Sequence, residues 1–396
     1  RLAWQEFLVD STRLLRAPAI DSAIREHYGH EVLHAMRSAI EDIAAGEVGA
    51  QNAFERAVNY VRTGATIAGL GWRLTTALLQ PIGLTQSMVR IGPKWVGKGL
   101  AQWIGDAAHM ENTAARIYEK SEMMRLRGKT LQREISEIRN QVSGKSSAIE
   151  ASYFYLIQKL QLVADIPTWL GQYEKAIEGG AAEDEAVAQA DAMVLEAQGG
   201  GQLKDLAGIQ RGGPMLKLFT NFYSFFNTTY NLLDHASGRT DFKNPFGLGR
   251  LAVDVLLLTV IPAALGTLMK ALLHAGDDGW DWDKLKRQLA ADQLNYLFGT
   301  IVGLREMGGT LQGVMGLPGG DYQGPASVRL FADLSKLGKQ ISQGEADEAF
   351  YKALDNATGV LFHYPAGQIN ATADGLYSLA TGKSQNPGAL AVGSSK

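Results

Sequence analysis

The stretch from Leu251 to Leu273 constrains this chain more than any other. It is apolar almost throughout, and a helix apolar on all sides must be covered by protein or by lipid. Val255 to Met269 supplies 15 uncharged residues, short of the ~20 that a straight membrane span needs. Extension to Arg250 and His274 gives the length, but admits Asp254 and Lys270 near the ends, with Pro262 inside. Trp280 and Trp282 follow within the acidic run Asp277–Asp283, where interfacial indoles commonly lie, and Lys243 and Arg250 flank the other end. Leu256, Leu257, Leu258, Ile261, Leu265, Trp280 and Trp282 therefore form a membrane-like set. Three fates are open: a constitutive span, a helix buried in a domain or oligomer core, or a segment covered in one state that enters lipid in another.

Just before it runs Lys217-Leu-Phe-Thr-Asn-Phe-Tyr-Ser-Phe-Phe-Asn-Thr-Thr-Tyr-Asn231. Phe219, Phe222, Phe226, Tyr230 and Leu233 recur at helical intervals, and Asn221, Ser224, Thr228 and Asn231 fall on another face. Stacking on single-stranded nucleic acid calls for interleaved Arg or Lys. Here only Lys217 and the distant Arg211 and Arg239 are available. Phe219, Phe222, Tyr223, Phe226, Asn227 and Tyr230 read instead as a helix-packing or interaction set, with Asn221, Asn227 and Asn231 free to bond to neighbouring helices.

The rest of the chain is also patterned at helical period. Proline is scarce (11) and glycine abundant (45), the glycines lying between long helical patterns as stops. β-Alternation with hairpin signals is missing. The expected fold is all-α: an elongated multi-helix assembly with short Gly/Pro-rich loops and no significant β-sheet. Five segments are expected. Residues 1–57 hold amphipathic helices broken near Pro18 and Gly46, one opening at Asp21. Residues 58–145 hold apolar helices, with Gly64, Ala65, Ala68, Gly69 and Gly71 allowing close packing and Pro81 ending one helix, then an exposed charged helix pair broken at Gly128. Residues 146–240 place Pro167 at a helix start and close on the aromatic helix; 241–283 hold the apolar helix with its Trp/Asp flank. Residues 284–396 hold the last helices and, from Gly382, an extended polar tail.

Composition excludes several classes. A net charge of −3 gives no global attraction for nucleic acid or anionic lipid, and the lack of cysteine removes disulfides and thiolate metal sites. The chain begins at Arg1 rather than Met, as a piece of a longer or processed polypeptide would, and Asp10, Arg13 and Arg16 interrupt any signal-like apolar run. His30-Glu-Val-Leu-His34 matches H-E-x-x-H, in which two histidines one turn apart hold zinc and Glu31 acts as base. A distinctive third ligand is missing downstream, and His27 marks the helix as generally histidine-rich. A zinc metallopeptidase is thus a rival reading, as is an unrelated membrane-associated scaffold or pore. The Gly-Lys-Ser triplets at 144–146 and 382–384 lack the phosphate-loop glycine, those positions holding Arg139 and Tyr377.

Several segments, taken in order, carry a resemblance. They are Gly69–Ser87, Met123-Met-Arg-Leu-Arg127, Asp165-Ile-Pro-Thr-Trp-Leu170, Ala190-Asp191 with Gln198-Gly, Lys204–Gly212, and above all Leu218-Phe-Thr-Asn-Phe-Tyr-Ser-Phe-Phe-Asn227. This order resembles the helical C-terminal region of the large polyvalent proteins of tailed phages and prophages, over roughly residues 55–330. Similar proteins serve as internal virion, or DNA-ejection, proteins. The resemblance implies packaging in the capsid near the portal, release with the genome, and an oligomeric conduit across the host envelope. It implies homo-oligomers, contact with other internal, portal and tail proteins, and transient contact with DNA and host membrane. It carries over no catalytic residue, metal or cofactor.

Overall fold

A computed structural model describes residues 2–45, 52–106, 110–130, 152–200, 205–213, 216–217, 220, 223–274, 281–300, 326–344 and 346–393. The fold is all-α, 85% helical, without strands among these residues.

Three helices open the chain: α1 (Leu2–Arg16), α2 (Pro18–Tyr28) and α3 (His30–Ala45). Helix α2 starts at Pro18, whose fixed φ suits a first turn. Asp21 is therefore not a cap. It lies within the first turn of α2 and accepts from Arg25 and from Arg37 of α3 (2.6 Å), while Arg37 also reaches Leu15 O (2.7 Å) and so ties the three helices together.

Helix α4 (Ala53–Leu70) is capped by Asn52, whose side chain accepts from Glu55 N at 2.8 Å. It ends at Leu70, Trp72 just beyond adopts φ 55°, and α5 (Leu74–Leu79) runs on to a 3₁₀ turn holding Pro81. The small residues of α4 do allow close packing. A Cβ on Gly64 would lie 1.9 Å from Val360 O, and Ala65 and Ala68 share a core with Leu337, Ala353, Ala357 and Val360.

Next come α6 (Leu84–Ile91), α7 (Pro93–Gly105), α8 (Met110–Lys120) and α9 (Glu122–Thr130). The charged pair breaks at Ser121, not Gly128. Ser121 Oγ accepts from Met124 N at 2.9 Å and caps α9, so Gly128 continues the helix. Nor is the pair wholly exposed: Ile117, Met124 and Arg127 are buried.

The centre is α10 (Tyr155–Glu178), which packs on α7 and on α11 (Glu183–Gln198). Pro167 sits inside α10 and does not start it. The crossing with α7 is close because both partners are glycine at the contact. A Cβ on Gly99 would fall 2.2 Å from Pro167 O, and one on Gly171 2.4 Å from Trp95 O. Trp169 is buried here, stacked on Tyr173 at 5.0 Å and donating to Asp191 at 2.7 Å.

Helices α12 (Tyr223–Gly238), α13 (Pro245–Val255), α14 (Ile261–His274) and α15 (Trp282–Gly299) follow. Then come α16 (Ala326–Gln343), α17 (Glu348–Phe362), α18 (Ala366–Ala380) and α19 (Ala389–Val392). Helices α16, α17 and α18 pack on α4, and α19 lies against α18, α14 and α5, so the chain's end returns to its early helices. The tail after Gly382 is not free: α19 lies on α18, with a Cβ on Gly375 falling 2.1 Å from Ala389 O. Asn386 Nδ2 donates to Leu272 O (3.0 Å) and Leu273 O (3.3 Å), closing the last turn of α14.

Candidate functional site

The apolar segment forms one continuous 29-residue helical stretch, Pro245–Leu273, with a mean hydropathy of 2.1 over its most apolar window. Asn244 caps it by accepting from Phe246 N at 3.0 Å. Pro262 has no N–H, and its ring crowds the carbonyl four residues back. Just before it, Leu256–Val260 widens into a π turn, in which the Ile261 amide bonds to Leu256 O, and the helix continues as α14.

Burial along this stretch is one-sided. Asp254, Leu258, Thr259, Ala263 and Thr267 face the protein, Leu258 meeting Val89 of α6 and Leu232 of α12. On the other side Val253, Leu256, Val260, Leu265, Leu268 and Leu272 are exposed, Leu256 at 45% and Leu265 at 43%. Within the chain only 39% of the apolar window is buried. Ile261 and Leu257 sit between the two sides.

Both internal charges lie on the protein-facing side and are paired. Asp254 accepts from Arg239 at 2.5 Å. Lys270 lies 3.6 Å from Asp292 of α15, which also accepts from Thr267 (2.8 Å) and Gln288 (3.1 Å). The outward face is therefore uncharged from Asp254 to Lys270. At ~1.5 Å per residue the helix is about 43 Å long, against the ~30 Å of a bilayer's hydrocarbon core. Trp282 opens α15, 65% exposed; Trp280 lies outside the described residues.

Helix α12 supports this element, though with a different face from the one the periodicity suggests. Tyr223, Thr228, Thr229, Leu232 and Ala236 are buried, while Tyr230 turns outward at 50% exposure. The threonines tolerate burial because each hydroxyl donates to the carbonyl four residues back, and Thr229 also accepts from Gln86 at 2.9 Å. Tyr223 donates to Thr300 O at 3.0 Å. Phe226 packs over Gly299 and forms an edge-to-face group with Phe225 and Tyr296, at 5.5 and 6.0 Å between ring centres. Asn227 is half-buried and Asn231 exposed; Phe219, Asn221 and Phe222 lie outside the described residues.

Periodicity gave no sign of a buried polar seam beneath these helices. Arg127 and Asp165, with side chains 1% and 0% exposed, pair at 3.1 Å. Arg127 also donates to Gly199 O (2.6 Å), and Gln161 links Asp165 to Gln198, which reaches Gly83 O and Ser87 Oγ, each at 2.8 Å. Ser87 meets Thr168 at 2.6 Å. Segments far apart in sequence thus meet around α10, and each supplies a satisfied polar group. A hint lay in Asp165, flanked by Ala164 and Ile166 with Trp169 one turn on; Arg127, in a charged run, carried none.

The H-E-x-x-H residues lie elsewhere. His30, Glu31 and His34 are exposed at the start of α3, with the two rings 6.4 Å apart and tilted. Among the described residues no third His, Asp or Glu joins them to make a metal-ligand group. Gly382 takes φ 70° after α18 and Lys383 lies over Tyr377; the triplet at 144–146 is outside the described residues.

No protein-family model, curated protein or solved structure matches this chain.

Proposed function

We propose that this chain is a non-enzymatic, helical part of a tailed-phage internal virion protein. It is packaged in the capsid and released with the genome to help form an oligomeric conduit across the host envelope. The observation that carries this reading is the outward apolar face of Pro245–Leu273, combined with inward, paired charges at Asp254 and Lys270. A protein that travels in water and later meets lipid needs an element of this kind. In the particle a second copy, or a portal or tail protein, covers the face; after release lipid replaces it. The ordered segments of the phage resemblance support the same reading, because residues from most of them meet in one seam around α10. The exposed His30 and His34 do not favour the peptidase.

Quantifying the protein in particles before and after genome release tests the functional assignment. The reading predicts its loss from emptied particles together with the DNA, and full retention contradicts it.

A further inference from the structure

Four cations from four elements gather near the Pro245 end of the apolar helix. Arg239, after α12, donates to Val89 O (3.3 Å) and to Asp254, and Lys175 in the last turn of α10 donates to Ile91 O (3.4 Å). These two carbonyls flank Arg90 near the end of α6, and Arg250 stands one turn before Asp254 in α13. Among the described residues only two carboxylates meet them directly. Glu196 pairs with Arg90 and Asp254 with Arg239. Lys175 Nζ reaches only the carbonyl of Ile91, at 3.4 Å, and neither Lys175 nor exposed Arg250 has an acidic partner among the described residues. The excess charge is felt locally. Partial burial, then Arg250 and Arg90, hold the Lys175 ammonium below its ordinary range, and burial followed by Arg239 does the same to Arg90. His235 is lowered by desolvation and by Arg90 and Arg239, against Asp234 and Asp254.

An unbalanced cationic group invites an anion, and its place selects the kind. Arg250 stands five residues from Pro245, about 8 Å along the axis. Phe246, one turn before it on the helix, is 88% exposed, and Phe242, just ahead of the helix, 61%. With the outward face of the helix in hydrocarbon, its Pro245 end lies at headgroup depth, where guanidinium and ammonium groups can hold phosphate oxygens.

We propose that Arg90, Lys175, Arg239 and Arg250 form a binding site for the phosphate headgroup of an anionic lipid, anchoring the Pro245 end of the apolar helix at the membrane surface. This rests on the reading that the apolar face meets lipid. Arg90 and Arg239 are held in place by Glu196 and Asp254; Lys175 and Arg250 supply the unsatisfied charge.

Co-flotation with vesicles of phosphatidylcholine alone, and of phosphatidylcholine doped with phosphatidylglycerol, tests it. Wild type, K175Q, R250Q, the double variant and the remote control K383Q are compared at low and physiological salt, with circular dichroism to confirm folding. The expected result is tighter binding to the doped vesicles, reduced about fivefold by each substitution at Lys175 or Arg250, and unchanged by K383Q. Binding to both vesicle types alike, or a double variant that keeps the full phosphatidylglycerol gain, overturns the headgroup site and leaves the membrane reading intact. Binding to neither overturns the membrane reading and this site with it.

Discussion

Arg127 and Asp165 show how much a single buried pair can govern here. With both side chains out of water, removing one partner leaves the other charged and uncompensated, which costs about 3–5 kcal/mol. Arg127→Met should therefore lower stability by that amount in urea titration, and the further change Asp165→Leu should recover much of it. A single variant as stable as wild type would show that the seam contributes little. His235 sets a smaller, pH-dependent effect. Its imidazole is held below the ordinary value of 6.5, first by desolvation and then by Arg90 and Arg239. As pH falls through 6.5 the unfolded chain takes up the proton first, so stability declines with acidification until the lower folded value is passed. The melting temperature of His235→Gln should fall less between pH 7 and pH 5 than that of wild type; parallel curves would contradict this. Arg127 escaped the sequence reading for a physical reason. It lies in a run where Glu122 and Arg125 pair in solvent, and a charge repeat looks solvated until the partner 38 residues away is known.

At the scale of elements, glycine decides two helix crossings. Gly99→Ala drives a methyl into Pro167 O and should cost about 1–3 kcal/mol. Two positions earlier, Gly97 has nothing within 4 Å of its Cβ direction, so Gly97→Ala should stabilise α7 by ~0.5–1 kcal/mol. Equal melting temperatures for the two variants would contradict the close α7–α10 crossing. Helices α4, α10, α11 and α12 were legible from helical patterning, and the stop of α11 from Gly199, whereas Gly71, expected inside a helix as a close-packing residue, ends α4. What period could not give was direction. In α12 the set read as a packing or interaction surface divides: Tyr223 is buried and Phe226 packs on Gly299, threonines bonded to their own carbonyls share the buried face, and Tyr230 lies outside. In Pro245–Leu273 the apolar residues are nearly continuous, so only the partners of Asp254 and Lys270 reveal which side faces protein. Leu256→Asp, on the exposed side, should leave the melting temperature within a degree or two and abolish vesicle binding, whereas Leu258→Asp should unfold this region. Equal effects of the two on stability would remove the one-sidedness.

For the whole molecule, the all-α class followed from a chain rich in glycine stops and free of β-alternation, and the helices observed agree with it. The long-range arrangement did not follow. That α16 to α18 return to α4, and that Asn386 closes the end of α14, depends on contacts more than 100 residues apart, which no local pattern carries. These ties hold both ends of the apolar helix, Arg239 near its start and Asn386 at its close, while its outer face stays open. The central claim is that this outer face enters lipid. Because the chain has no cysteine, single cysteines at Leu256, Val260 and Leu268, with Leu258 as the inward control, can each carry an environment-sensitive fluorophore. The account predicts that vesicles bearing nitroxide-labelled acyl chains blue-shift and quench the three outward probes and leave the probe at Leu258 unchanged. Outward probes that remain in water, unquenched while the protein is bound to vesicles, would contradict it.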